Sequence, residues 1–186
     1  MSESKNIEVE LRSRFSKEKY DELLSFLENN AKHLGTDDKR VWFFVMPDKL
    51  LKVTHNISKK NGKITLKLTK IGYGSSFEGI EFLISEDDVE KAVKLFTNLG
   101  HEYLFEPTIL RRDFEYKGIE FAIKYSKTWG YHLEMEVLLD STDKEKEAED
   151  YIREVAKELD IHIMTEQELR EFTENIEATY VNPTTV

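Results

Sequence analysis

The stretch Ile7-Glu8-Val9-Glu10-Leu11-Arg12-Ser13-Arg14 decides how the rest of this chain is read. As a strand its side chains alternate between two faces. Ile7, Val9 and Leu11 share one; Glu8, Glu10, Arg12 and Arg14 share the other. Alone, such a segment is an ordinary half-buried strand with a solvated charged side. A second stretch of the same make-up lies far downstream, Tyr131-His132-Leu133-Glu134-Met135-Glu136-Val137. Two strands that each set a Glu-x-Glu pair opposite an apolar face are candidates for a metal cradle.

Composition bounds what surrounds these strands. A chain of 186 residues, 39% hydrophobic and 34% charged, suits one water-soluble domain with a real core. Cysteine is absent, which excludes disulfides, thiolate metal sites and cysteine nucleophiles. No apolar run approaches the ~20 residues needed to span a bilayer, and Met1-Ser2-Glu3-Ser4-Lys5 lacks a signal-peptide core. A cytoplasmic protein without membrane attachment is therefore expected. The net charge of -10 speaks against an extended nucleic-acid surface, while leaving room for a local basic pocket.

Outward from the first strand, Ser16 is placed to cap a helix whose stripe is Tyr20, Leu23, Leu24, Leu27, Ala31 and Leu34, closed by Gly35. Arg40 to Met46 reads as a strand. Leu50 to Ser58 and Lys63 to Lys70 read as a hairpin turning across Lys59-Lys60-Asn61-Gly62, where Asn-Gly is a strong turn signal. After a flexible Gly72 to Ser76, Phe77 to Ile84 is another strand. Ser85 then starts a helix striped with Val89, Ala92, Val93, Phe96 and Leu99. A second block repeats this order: a long strand from Tyr103 to Tyr116 with a bulge or kink near Pro107, a tight turn at Lys117-Gly118, and strands over Ile119 to Tyr125 and from Gly130. Capping boxes at Thr142/Glu145 and Thr165/Glu168 open two closing helices, and Ala178 to Val186 form a loose tail. The fold class is α+β, dominated by an antiparallel sheet.

Nearly every strand has one apolar and one charged face. Lys63, Thr65, Lys67 and Thr69 oppose Ile64, Leu66 and Leu68; Leu50, Lys52 and Thr54 share a face. Arg111, Asp113 and Glu115 share another, and Glu120 and Lys124 oppose Ile119, Phe121 and Ile123. A flat sheet with helices on one side and water on the other satisfies this pattern. So does a closed barrel with its charged faces inward. Periodicity leaves both open.

The Glu8-x-Glu10-x-Arg12 strand resembles the Glu-x-Glu-x-Lys signature of the CYTH, or triphosphate tunnel metalloenzyme, superfamily. The stretch Gly130 to Glu136 looks like that group's late Gly-aromatic-x-Glu-x-Glu strand, and the order of elements between them agrees. The resemblance implies a single CYTH-like domain over 1–186, core about 5–176: an antiparallel eight-stranded β-barrel tunnel with helices packed outside. It implies Mg²⁺ or Mn²⁺ held by Glu8, Glu10, Glu134 and Glu136, with Glu81 as a further ligand. Arg12, Lys52, Lys67 and Arg111 would neutralise the phosphates of a small-molecule triphosphate, and Glu10 and Arg12 would stand at the catalytic centre. His132 is a candidate ligand or shuttle, but reads first as a hydrogen-bonded wall residue.

Four positions depart from the family pattern: Arg12 in place of Lys, Phe77 in place of a basic residue, Ile109 in a basic pair, and Lys124 in place of an acid. They fit a shifted alignment, an altered substrate or lost activity. The readings carried forward are a metal-dependent triphosphatase, a class IV-type adenylyl cyclase, and a non-catalytic polyphosphate- or nucleotide-binding module. A homodimer stays open.

Overall fold

The computed structural model describes residues 7–77 and 79–181. Ten strand segments and four α-helices follow in the order β1 (Ile7–Arg14), α1 (Lys17–Asn30), β2 (Lys32–Thr36), β3 (Lys39–Phe44), β4 (Leu50–Asn56), β5 (Asn61–Lys67), β6 (Ser76–Phe77), β7 (Gly79–Ser85), α2 (Val89–Asn98), β8 (Tyr103–Tyr116), β9 (Ile119–Ser126), β10 (Gly130–Leu139), α3 (Glu145–Glu158) and α4 (Glu166–Val181). The strand pairings are antiparallel, so the α+β antiparallel expectation holds. Eight of these strands are those anticipated; β2 and β6 are short additions. Among the described residues no helix is long and apolar enough to cross a membrane.

The chain folds as two compact units, and they do not follow the two blocks seen in the sequence. The first takes Met1–Thr36, Ser75–Glu78 and Leu110–Met164; the second takes Asp37–Gly74, Gly79–Ile109 and Thr165–Val186. Strand β8 gives its first half to the second unit and its second half to the first.

In the first unit the strand order is β6-β1-β10-β9-β8, with β2 pairing β8 separately. Val9, Leu11, Phe114, Phe121, Ile123, Leu133 and Met135 form one core with Leu23 and Leu27 of α1 and Ile152 and Val155 of α3. Period-2 apolar positions on the strands thus meet period-3.6 stripes on the helices. The cap of α1 forms as read, Ser16 Oγ accepting from the Lys19 amide at 3.3 Å. The helix stops at Asn30, short of the expected Leu34. Residues 32–36 instead pair with β8, and a register shift between His33 and Gly35 absorbs Gly35 at φ 144°. Thr142 begins a short 3-10 turn ahead of α3, without the anticipated capping bond from its side chain.

In the second unit the order is β8-β3-β4-β5-β7. Phe44, Leu51 and Val53 pack against Val89, Ala92 and Val93 of α2. Lys39 pairs with Ile109 and Val41 with Glu106, so β8 bulges beside Pro107 as anticipated. The capping box on α4 forms: the Thr165 amide donates to Glu168 at 2.7 Å, and the Glu168 amide donates to Thr165 Oγ1 at 3.2 Å. This helix runs to Val181, past the Ala178 at which a loose tail was expected; residues 182–186, like Glu78 and residues 1–6, lie outside the described residues.

The β4–β5 hairpin turns at Ile57–Lys60, two residues earlier than the Asn-Gly signal suggests. Asn61 and Gly62 are already in the strand, opposite Asn56 and His55, and Lys60 takes the left-handed φ of 50°. Gly62 is needed for packing: a Cβ there would sit 2.5 Å from Val89 Cγ2 and 2.7 Å from Ile84 Cγ1. Gly62→Ala is expected to destabilise the protein by about 1–3 kcal/mol in urea unfolding. An unchanged midpoint would contradict this packing.

Candidate functional site

Pairing of β1 with β10 puts the two Glu-x-Glu motifs side by side. Glu10 faces Glu136, Arg12 faces Glu134 and Arg14 faces His132. Strand β9 continues the rows, with Glu120 beside Glu136, Ala122 beside Glu134 and Lys124 beside His132. On the face away from the helices the first unit therefore carries an acidic row, a mixed row and a basic row, successive rows about 7 Å apart. This face is not simply bathed in water: Glu10, Arg12, Lys124 and His132 are each less than 8% exposed.

The candidate metal site joins two members of the acidic row, Glu10 and Glu136, to Glu8, which lies one row along β1 opposite Leu138. One carboxylate oxygen from each of Glu8, Glu10 and Glu136 lies within 4.8 Å of the others. Like charges directly across a sheet repel, so the arrangement favours a cation among them. An octahedral Mg²⁺ site has ligand oxygens at about 2.1 Å, hence about 3–4 Å from one another. The three carboxylates, within 4.8 Å of one another, stand close to that spacing. An all-oxygen donor set suits Mg²⁺ or Mn²⁺.

Glu134, grouped with these ligands in the sequence reading, stands apart from the trio. It pairs with Lys124, with Arg12 Nε at 3.4 Å and with Arg111 Nη1 at 4.0 Å. Burial would raise its carboxyl pKa, but the charges of Lys124, Arg12 and Arg111 hold it well below the usual range. Arg12 also pairs with Glu10, and Arg111 with Asp113 and with Glu120 at 2.9 Å. For both arginines the cost of burial is outweighed by these acids, which raise their pKa. Lys124 goes the other way: burial, aided by the charge of Arg111, pushes it down to about 8 despite Glu134.

His132 behaves as the wall residue expected. Its Nδ1 lies 2.9 Å from the Gly130 carbonyl, and burial followed by the charge of Lys124 pushes its pKa down to about 4. Trp129 closes this end, its ring 5.6 Å from the Arg12 guanidinium carbon and 5.4 Å from the His132 ring.

Lys52, Lys67 and Glu81 belong to the second unit. Lys52, Thr65 and Glu81 form one cross-strand row. Glu81 accepts from Lys63 Nζ at 2.8 Å and from Thr65 at 3.4 Å, and Lys63 and Lys52 keep its pKa low against the effect of burial. Lys67 is buried at 7% exposure on the same face. Within its own unit Glu81 is thus the counter-ion of Lys63. Sequence reasoning missed Lys124 as a member of the site, although strand parity had already put it on the charged face. Asp113 and Glu120 as arginine partners, and Trp129, carried no signal beyond parity and position.

An antiparallel α+β domain with paired Glu-x-Glu strands defines a class, and comparison supplies the family. The CYTH domain model matches residues 6–169, so the chain belongs to the CYTH family. No curated protein sequence matches it. Among solved structures it resembles the PH1012 protein of Pyrococcus horikoshii OT3, with 25% identity and a TM-score of 0.67 over 84% of this chain and 94% of that one. It also resembles a putative adenylate cyclase from Vibrio parahaemolyticus, at 14% identity and TM-score 0.66 over 90% and 98% of the two chains. A third is HpAC1 from Hippeastrum, a putative adenylyl cyclase described as having a dominant triphosphatase activity, at 16% identity and TM-score 0.60 over 85% and 89%.

The unfolded chain takes up a proton at His132 near its ordinary 6.5, whereas the folded chain refuses it until about pH 4. The stability this contributes is complete above pH 6.5 and is lost as pH falls towards 4, by roughly 3 kcal/mol at most. His132→Asn, which keeps a donor for the Gly130 carbonyl, is expected to flatten the fall in urea midpoint between pH 7 and 4.5. Parallel curves for variant and wild type would contradict it.

Proposed function

We propose that this protein hydrolyses a triphosphate compound, inorganic tripolyphosphate or a nucleoside or organic triphosphate, with a divalent metal ion held by Glu8, Glu10 and Glu136. The observation that carries the reading is the meeting of those three carboxylates beside Arg12. Membership of the CYTH family and the triphosphatase activity named for HpAC1 support it.

Bound Mg²⁺ or Mn²⁺ would polarise phosphoryl oxygens and acidify a water. The rest falls to the chain. Arg12 and Arg111 offer forked donors to phosphate oxygens, and Lys124 adds a third cation. Glu10 belongs both to the carboxylate trio and to the Arg12 ion pair, so it would hold a bound ion close to that guanidinium. Water adds to the terminal phosphorus, the bridging P–O bond breaks, and the bridging oxygen leaves with the electron pair; the protons of water end on the product phosphates. Arg12 keeps the positive charge of the family's lysine but is too basic to serve as a base, so its role here is binding and charge stabilisation. Lys52, Lys67 and Glu81 remain candidates carried by the second unit.

Phosphate release from tripolyphosphate, ATP and thiamine triphosphate, measured with each metal, tests the reading. Metal-dependent release is expected, and Glu10→Gln should slow it about 100-fold or more. No release on any substrate from folded protein would overturn the proposal. Cyclic AMP and pyrophosphate from ATP would instead make the protein a cyclase on the same scaffold.

A further inference from the structure

We propose that Glu134 is the resident anion of a phosphate subsite built by Arg12, Arg111 and Lys124, and that a substrate phosphate replaces it. The inference rests on the reading that this face of the first unit takes a phosphate, and it assigns Glu134 a role distinct from metal ligation.

Three cations converge on this carboxylate: Lys124 Nζ in direct contact, Arg12 Nε at 3.4 Å and Arg111 Nη1 at 4.0 Å. Arg12 and Lys124 are buried, and a buried cation is tolerated only beside an anion. The two arginines divide themselves among further acids: Glu10 for Arg12, Asp113 and Glu120 for Arg111. Lys124 forms its ion pair with Glu134 alone among the described residues. Glu134 is thus the one group common to all three cations.

Glu134 has a small neighbour across the sheet and is itself partly exposed. The residue beside it on β9 is Ala122, which has the smallest side chain of its row. The Glu134 side chain retains 19% exposure, so a solute can reach it. A carboxylate offers two oxygens and one negative charge. A phosphate or pyrophosphate offers more of both, and with three donors already gathered it makes more charge-assisted hydrogen bonds than the carboxylate it replaces. Glu134 meanwhile keeps the subsite assembled when no phosphate is present. Its distance from the Glu8, Glu10 and Glu136 trio follows from this role: a side chain drawn towards three cations is drawn away from a metal.

Binding of inorganic pyrophosphate to metal-stripped protein, followed by calorimetry, distinguishes the roles. Glu134→Gln keeps the shape and removes the resident charge, and should bind pyrophosphate about tenfold more tightly than wild type. Its Mn²⁺ affinity without pyrophosphate should stay within about twofold of wild type, because metal ligation lies elsewhere. Lys124→Met should weaken pyrophosphate binding about tenfold, and this arm decides the matter if Glu134→Gln does not fold. Equal or weaker pyrophosphate binding by Glu134→Gln, loss of its Mn²⁺ binding, or unchanged binding by Lys124→Met would overturn the proposal. Because neither turnover nor metal enters the pyrophosphate arm, an inactive protein that shows these shifts would refute the hydrolase while sustaining the subsite.

Discussion

Carboxylates facing one another across β1 and β10 set the electrostatic constraint on the charged face of the first unit. Glu10 faces Glu136 across β1 and β10, and Glu120 lies beyond Glu136 on β9. Such a row is costly without positive charge among its members. Arg111 pairs with Glu120 and Arg12 with Glu10, while one oxygen from each of Glu8, Glu10 and Glu136 meets the others within 4.8 Å. The register that creates the row is held from the opposite face. Slipping β1 by one residue would turn Val9 and Leu11 away from Leu23, Leu27 and Ile152 and bury Glu8 and Glu10 against the helices. The apolar core thereby fixes the position of charges it never touches.

The ions then form a chain of shared partners. Glu10 belongs to both the carboxylate trio and the Arg12 ion pair, Arg12 reaches on to Glu134, and Glu134 gathers Lys124 and Arg111. Neutralising any member changes what its neighbours can hold. In the proposed reading the metal and phosphate sites share Glu10 and Arg12, and so would be coupled through side chains a few ångströms apart. The basic end is tuned by burial: Lys124 is pushed down to about 8 and His132 to about 4, so His132 is neutral at physiological pH beside a charged lysine.

Much of this was legible before any coordinates. Alternation assigned the faces of β1, β5, β9 and β10 correctly, because a strand half buried against helices must alternate. The caps at Ser16 and Thr165 are local chemistry and formed as written. What failed was decided by distant partners. Ala31 and Leu34 extend the helical period of α1, yet β8 recruits residues 32–36 as a strand. Asn61-Gly62 reads as a turn, yet Val89 and Ile84 press so close that the glycine serves the strand. The three cations around Glu134 were beyond the reach of sequence, because cross-strand register brings them together. Lys124 read as a departure from the family pattern, because its partner on β10 is set by register and not by sequence neighbours.

The central claim is that Glu8, Glu10 and Glu136 together hold a divalent ion. Titrating metal-free protein with Mn²⁺ and following the free-ion signal by electron paramagnetic resonance addresses it directly. The account predicts saturable binding by wild type that weakens about 10–100-fold in Glu136→Gln. Equal affinity in the variant, or no binding by the folded wild-type protein, would contradict it.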